Sequence, residues 1–159
     1  MIRPKRGLRR KKASLSGSRD KIAGRRHFRR KKGIRASDLR KIKKKLEAAQ
    51  KALVIKKFGN DCFTCHQKNL KGSNAHLGHV PWPRSILSTE CKYDIHFARI
   101  QCFRDNIHNG GMGAVALQRM RDERIDVDAM RALNEATKGK TVPYQWFVEK
   151  LADYEQQLL

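Results

Sequence analysis

Long apolar runs are missing from this 159-residue chain. No stretch approaches the roughly 20 apolar residues that a membrane-spanning helix needs. The charged first twenty residues lead into no apolar core of an export leader. A membrane partner is therefore excluded, and the expectation is a cytoplasmic protein. Cysteine is scarce, with four residues in all. In a reducing compartment such a small set favours metal binding over disulfides. Aromatic residues make up 7% of the chain, and Phe28 is the one that falls among residues 1–36. That region therefore lacks the platforms on which bases stack. Acids number 15 against 37 Lys and Arg. No internal sequence repeat is visible.

What is present is positive charge, unevenly placed. The formal net charge is +22, of which +18 belongs to residues 1–50 and +4 to the rest. Such an excess repels itself unless a polyanion neutralises it. The expected partner is nucleic acid, bound with a strong salt dependence through counterion release. Residues 1–36 are poor in apolar side chains and carry the runs Arg9, Arg10, Lys11, Lys12 and Arg29, Arg30, Lys31, Lys32, together with Arg25 and Arg26. Too little surface can be buried for this arm to fold alone, so it reads as a phosphate-gripping arm. A merely solubilising tail is the plainer alternative.

Ser37 is a suitable N-cap, and Leu39, Ile42, Leu46, Ala49 and Leu53 recur at three- and four-residue steps. The pattern predicts an amphipathic helix over 37–59, lysine-rich on its other face and ended by Gly59. Residues 60–113 are rich in Cys, His, Gly, Asn and Pro. They read as a metal knuckle, an irregular hairpin and a short helix starting near Cys102. Pro81 and Pro83 exclude a regular central strand at that point. Residues 114–159 read as packing helices at about 114–122, 127–137 and 143–158. The second is capped by Asp126 and closed by Gly139. The third begins at Pro143 and carries Phe147, Leu151, Tyr154 and Leu158 on one side.

Cys62 and Cys65 form a Cys-x2-Cys knuckle, half of a structural zinc site. Cys102 is the natural third ligand. Asp105, three residues later, can close the tetrahedron, and His108 and Cys91 are its rivals for the fourth position. The plainer alternative is that these thiols are small buried hydrophobes. A zinc ion holding two distant segments together would leave nearby histidines available for chemistry.

Phosphodiester hydrolysis needs an activated water, a divalent cation and positioned positive groups. His79 is the candidate general base, because a neutral imidazole takes protons near neutral pH. Asn106 is the candidate ligand for Mg²⁺ or Mn²⁺, with His76 as a second. Arg84 and Arg99 are candidates to hold phosphate oxygens. Singly, each residue is more often structural than catalytic. Four histidines between positions 76 and 108 shift that balance.

The segments Cys62-Phe-Thr-Cys65, His76-Leu-Gly-His79, Arg84-Ser85, Gln101-Cys102-Phe-Arg-Asp105-Asn106 and Gly110-Gly111 together resemble the NinG/Rap family of phage recombination endonucleases. More loosely, they are similar to other zinc-stapled HNH enzymes that act on branched DNA. The closing stretch TVPYQWFVEKLADYEQQL is similar to that family's last helix. Asp105 stands where the family has a cysteine, His76 where it has an acid, and Phe97 or its neighbour His96 where it has an asparagine. The resemblance implies an α+β fold: a small ββα-metal (HNH) core stapled by zinc and flanked by helices. It further implies metal-dependent cleavage of DNA of the Holliday-junction or other branched kind, in the cytoplasm of a phage-infected host. Paired cuts at a junction would suit a homodimer. A non-catalytic zinc-stapled nucleic-acid-binding protein, ribosomal-like or packaging-associated, is the competing expectation.

Overall fold

The computed structural model describes residues 34–159. The arm residues Arg9, Arg10, Lys11, Lys12, Arg25, Arg26, Arg29, Arg30, Lys31 and Lys32 lie outside them. Helix α1 spans Ala36–Phe58. Leu46, Ala49 and Leu53 of its apolar stripe are buried, Leu46 and Leu53 fully so, and Leu39 and Ile42 are partly buried against the same core. The N-cap is Arg35, without a side-chain cap. Ser37 already lies inside the first turn, where its hydroxyl is bound to the Asp38 carboxylate instead. Gly59, at φ +82°, ends the helix, and its N–H donates to the Ile55 carbonyl at 2.9 Å.

Strands β1 (Ala75–His79) and β2 (Ala98–Cys102) form a two-stranded antiparallel sheet. Ala75 pairs with Cys102 and His79 with Ala98. Gly78 has a steric reason to be glycine. A Cβ there would fall 1.9 Å from Gln101 Oε1. The fully buried Gln101 instead reaches across to donate from Nε2 to the Gly111 carbonyl at 2.7 Å. That bond anchors the glycine turn to the sheet.

Between the strands lies a short helix, α2 (Thr89–Lys92), capped by the Ser88 hydroxyl. After β2 comes a single π-helical turn, Arg104–His108, where a short helix was expected from Cys102. Helices α3 (Gly113–Asp122), α4 (Val127–Thr137) and α5 (Tyr144–Leu158) follow. Asp126 caps α4 as expected, its carboxylate accepting from the Ala129 N–H at 2.8 Å. Pro143 sits one position earlier than expected, as the N-cap of α5.

Two apolar clusters hold these elements together. In one, Leu46, Leu53 and Val54 of α1 pack with Ile100 of β2 and with Phe147, Leu151 and Tyr154 of α5. In the other, Phe97 and Val80 pack with Cys91 of α2, Ala116 and Met120 of α3, and Met130 of α4. Polar ties reinforce the second: Ser88 N–H donates to Asn134 Oδ1 at 2.7 Å, and the Thr137 hydroxyl donates to Ser88 Oγ at 2.7 Å. The fold is α+β. No helix among the described residues is long and apolar enough to cross a membrane.

Candidate active site and metal centre

The knuckle is built by local backbone bonds. The Cys62 N–H donates to the Gln67 carbonyl at 2.8 Å, and the His66 N–H donates to the Cys62 carbonyl at 3.1 Å. The Phe63 N–H donates to the Ile100 carbonyl at 2.8 Å, which docks the knuckle on β2. Cys102, the last residue of β2, and Asp105, on the π-helical turn, complete a cluster of four. One donor atom from each of Cys62, Cys65, Cys102 and Asp105 lies within 4.8 Å of all the others, so the group can hold a metal ion. Cys62, Cys102 and Asp105 are each 1% exposed.

The spacing suits zinc. A tetrahedral ion with Zn–S bonds of about 2.3 Å has an S···S edge of about 3.8 Å and an S···O edge of about 3.5 Å. The Cys65 and Cys102 sulfurs stand 3.7 Å apart, and Cys62 Sγ is 3.6 Å from Asp105 Oδ2. All four cysteines are free thiols. The rivals for the fourth position stand elsewhere. Cys91 is buried with its sulfur 3.8 Å from Thr137 Oγ1, and His108 is exposed with its ring edge-on to Phe103.

Asp105 is held from several directions. Its Oδ2 accepts from the Thr64 hydroxyl at 2.7 Å, and its Oδ1 accepts from Asn109 Nδ2 at 3.1 Å. Burial pushes the Asp105 carboxyl up, but these donors outweigh it and hold the group below the ordinary carboxylate range. Cys62 behaves alike: burial raises its thiol, while the N–H groups of Cys65 and Cys102 and the Thr64 hydroxyl bring it below its usual value. Cys65 is pushed up to about 12, by burial first and then by its acidic neighbours. A cation among these groups would take the place of that proton.

Four positions on from Cys102, at Asn106, the chain also contributes to a groove. His79, Arg84, Asn106, Gly110 and Gly111 line one cavity of about 330 Å³, together with Leu77 and Pro83. His79 and Asn106 are thus brought to one place, and Arg84 with them. The junction is economical: Asp105 faces the metal cluster, and the adjacent Asn106 lines the groove. His79 is oriented by a backbone group, its Nε2 lying 3.0 Å from the Lys92 carbonyl. A carbonyl only accepts, so Nε2 carries the proton and the lone pair is on Nδ1. Burial lowers the His79 pKa below its usual value, and Arg84 adds to that, so the ring is neutral near pH 7.

Arg84 is half exposed and ion-paired with Glu47 of α1. Arg99 is not placed to hold phosphate, contrary to expectation. It is 4% exposed and lies over the Phe58 ring at 3.9 Å, while its Nη1 donates to the Ala98 carbonyl at 2.9 Å. It faces Glu123 at 3.9 Å. Stacked between aromatic faces with its own carboxylate, it serves the packing. His76 is not among the residues that line the groove. It stands three positions before His79 on a strand, and strand alternation sends the two rings to opposite faces. Its Nε2 is 2.8 Å from the Ser73 carbonyl, and its ring packs on Phe103.

Sequence reasoning missed Thr64, Asn109, Glu47 and the Lys92 carbonyl. Thr64 lies inside the Cys-x2-Cys motif, where a hydroxyl able to support a ligand was the available signal. The Lys92 carbonyl has no side-chain signature at all. No protein-family model, curated protein or solved structure matches the chain.

Proposed function

We propose that this chain is a metal-dependent endodeoxyribonuclease that hydrolyses phosphodiesters in double-stranded or branched, recombination-intermediate DNA by an HNH-type mechanism. The observation that carries the reading is the shared groove: a neutral imidazole with its lone pair on Nδ1, a carboxamide and a guanidinium in one cavity. The cluster of Cys62, Cys65, Cys102 and Asp105 would hold zinc as the staple that fixes Asn106 opposite β1.

In this reading His79 takes a proton from a water molecule at Nδ1, while the Lys92 carbonyl holds the ring by its Nε2–H. The half-exposed Arg84 guanidinium binds non-bridging phosphate oxygens and offsets the charge that grows there. Asn106 would hold a divalent cation by its carboxamide oxygen. Mg²⁺ or Mn²⁺ bound there would stabilise charge on the scissile phosphate and the leaving oxygen. No carboxylate lines the groove, so phosphate oxygens and water would complete the ion's shell. The basic arm would supply further phosphate contacts, and paired cuts at a junction would call for a homodimer.

The same lack of a groove carboxylate favours a second reading, a zinc-stapled nucleic-acid-binding protein without catalysis. Purified zinc-loaded protein separates the two. With Mg²⁺ or Mn²⁺ it should nick supercoiled plasmid or cut a four-way junction. Protein that retains zinc and binds the junction, yet leaves it intact with either cation, would establish the binding role.

A further inference from the structure

The His79 groove does not stand alone. Arg84 also lines a second cavity of about 400 Å³, between α1 and α2. Four further cations face that cavity: Arg40, Lys43 and Lys44 of α1 and Lys92 of α2. Thr89 and Lys92 in turn line a third cavity of about 410 Å³, which adds Lys138 and Lys140 from the α4–α5 connection. The three cavities are therefore joined in series, through Arg84 and then through Thr89 and Lys92. Their one carboxylate is Glu47, and it is committed to Arg84.

We propose that these cavities form one continuous track for a DNA strand, running from the His79 groove along α1 and α2 to the α4–α5 connection. The charge pattern supports that occupant. Cations from three separate elements follow one another along a concave path, as a phosphodiester backbone requires. The lining is polar and basic, with no aromatic platform beyond Tyr93, so the track grips phosphates and reads no bases. Lys138 and Lys140 extend the footprint well beyond the helix that the lysine pattern of the sequence picks out. Glu47 has a place in this scheme: it occupies the Arg84 guanidinium until a phosphate competes for it.

The choice of DNA over RNA rests on the nuclease reading, whereas the track itself does not. Binding of the full chain to a fluorescent DNA duplex is measured without added divalent cation, so that no cut occurs. Lys138→Glu combined with Lys140→Glu should weaken binding by at least about tenfold at 0.1 M salt and flatten the log–log salt slope by about two. A control pair of exposed cations that line none of the three cavities, Lys57→Glu with Arg121→Glu, should have the smaller effect. Glu47→Gln, which frees Arg84, should tighten binding. If the Lys138 and Lys140 pair matters no more than the control pair, the track is refuted, even if the protein cuts DNA. Tighter binding to an RNA duplex of the same sequence would overturn DNA as the occupant. A protein that never cuts but passes the charge-reversal test would keep the track and lose the nuclease.

Discussion

Asp105→Ala probes the metal centre at its least conventional ligand. The carboxylate is 1% exposed and accepts from the Thr64 hydroxyl at 2.7 Å and from Asn109 Nδ2 at 3.1 Å. Removing it strips one donor from the four, leaves Asn109 Nδ2 without this acceptor and leaves the Thr64 hydroxyl only the weaker Cys62 Sγ, 3.3 Å away. Hydrogen bonds to a charged group are worth about 1.5–3 kcal/mol each, so the loss of these two alone predicts at most about 3–6 kcal/mol. Each tenfold fall in zinc affinity adds about 1.4 kcal/mol while free zinc stays well above the dissociation constant. Small domains are stable by about 5–15 kcal/mol, so the variant should melt far below the parent. The assay is zinc content by atomic emission and zinc release to a competing chelator, alongside thermal melting. Asp105→Ala should lose zinc to a chelator that the parent withstands. Asp105→Cys, which supplies a fourth thiolate, should retain one zinc per chain. An Asp105→Ala protein that keeps its zinc equally well and melts within about a degree of the parent would refute the four-ligand centre.

Three further expectations follow from the geometry. Because the folded pKa of His79 lies below 6.5, its stability contribution is held above the unfolded value near 6.5 and lost as pH falls toward the folded value; cleavage should likewise persist below pH 6.5, and an acid inflection above 6.5 in the pH–rate profile would rule out His79 as the base. Arg99→Ala removes a buried guanidinium from the Phe58 face, so it should destabilise by about 2–3 kcal/mol in urea melts while leaving the DNA salt slope of the folded variant unchanged. Deleting residues 1–33, which hold 15 Lys and Arg against one acid, should weaken DNA binding and flatten its salt slope with no change in melting temperature; an unchanged slope would remove the arm from the binding surface.

The helices were legible because their signals are local. The stripe through Leu46 and Leu53 places α1 within a residue or two, and Asp126 marks the start of α4 by its own side chain. The metal donors were legible because Cys-x2-Cys and Cys-x2-Asp each report a tight turn. The strands were harder to see: Gly78 and the following prolines break the usual pattern, so the period of two that separates His76 from His79 stayed hidden. Arg99 looked available because its cover comes from Phe58 and Phe63, more than 35 positions earlier in the chain. The partner that orients His79 is a main-chain carbonyl, which any residue at position 92 would offer.

The decisive comparison is cleavage of a four-way junction by the parent, His79→Ala and Asn106→Ala, each with its zinc content and junction affinity measured in parallel. Loss of a general base costs on the order of 10²–10⁴ in rate. Both variants should keep zinc and bind the junction as the parent does, while cutting at least about a hundredfold more slowly. A His79→Ala protein that cuts at the parent's rate would show that this imidazole takes no proton in the reaction.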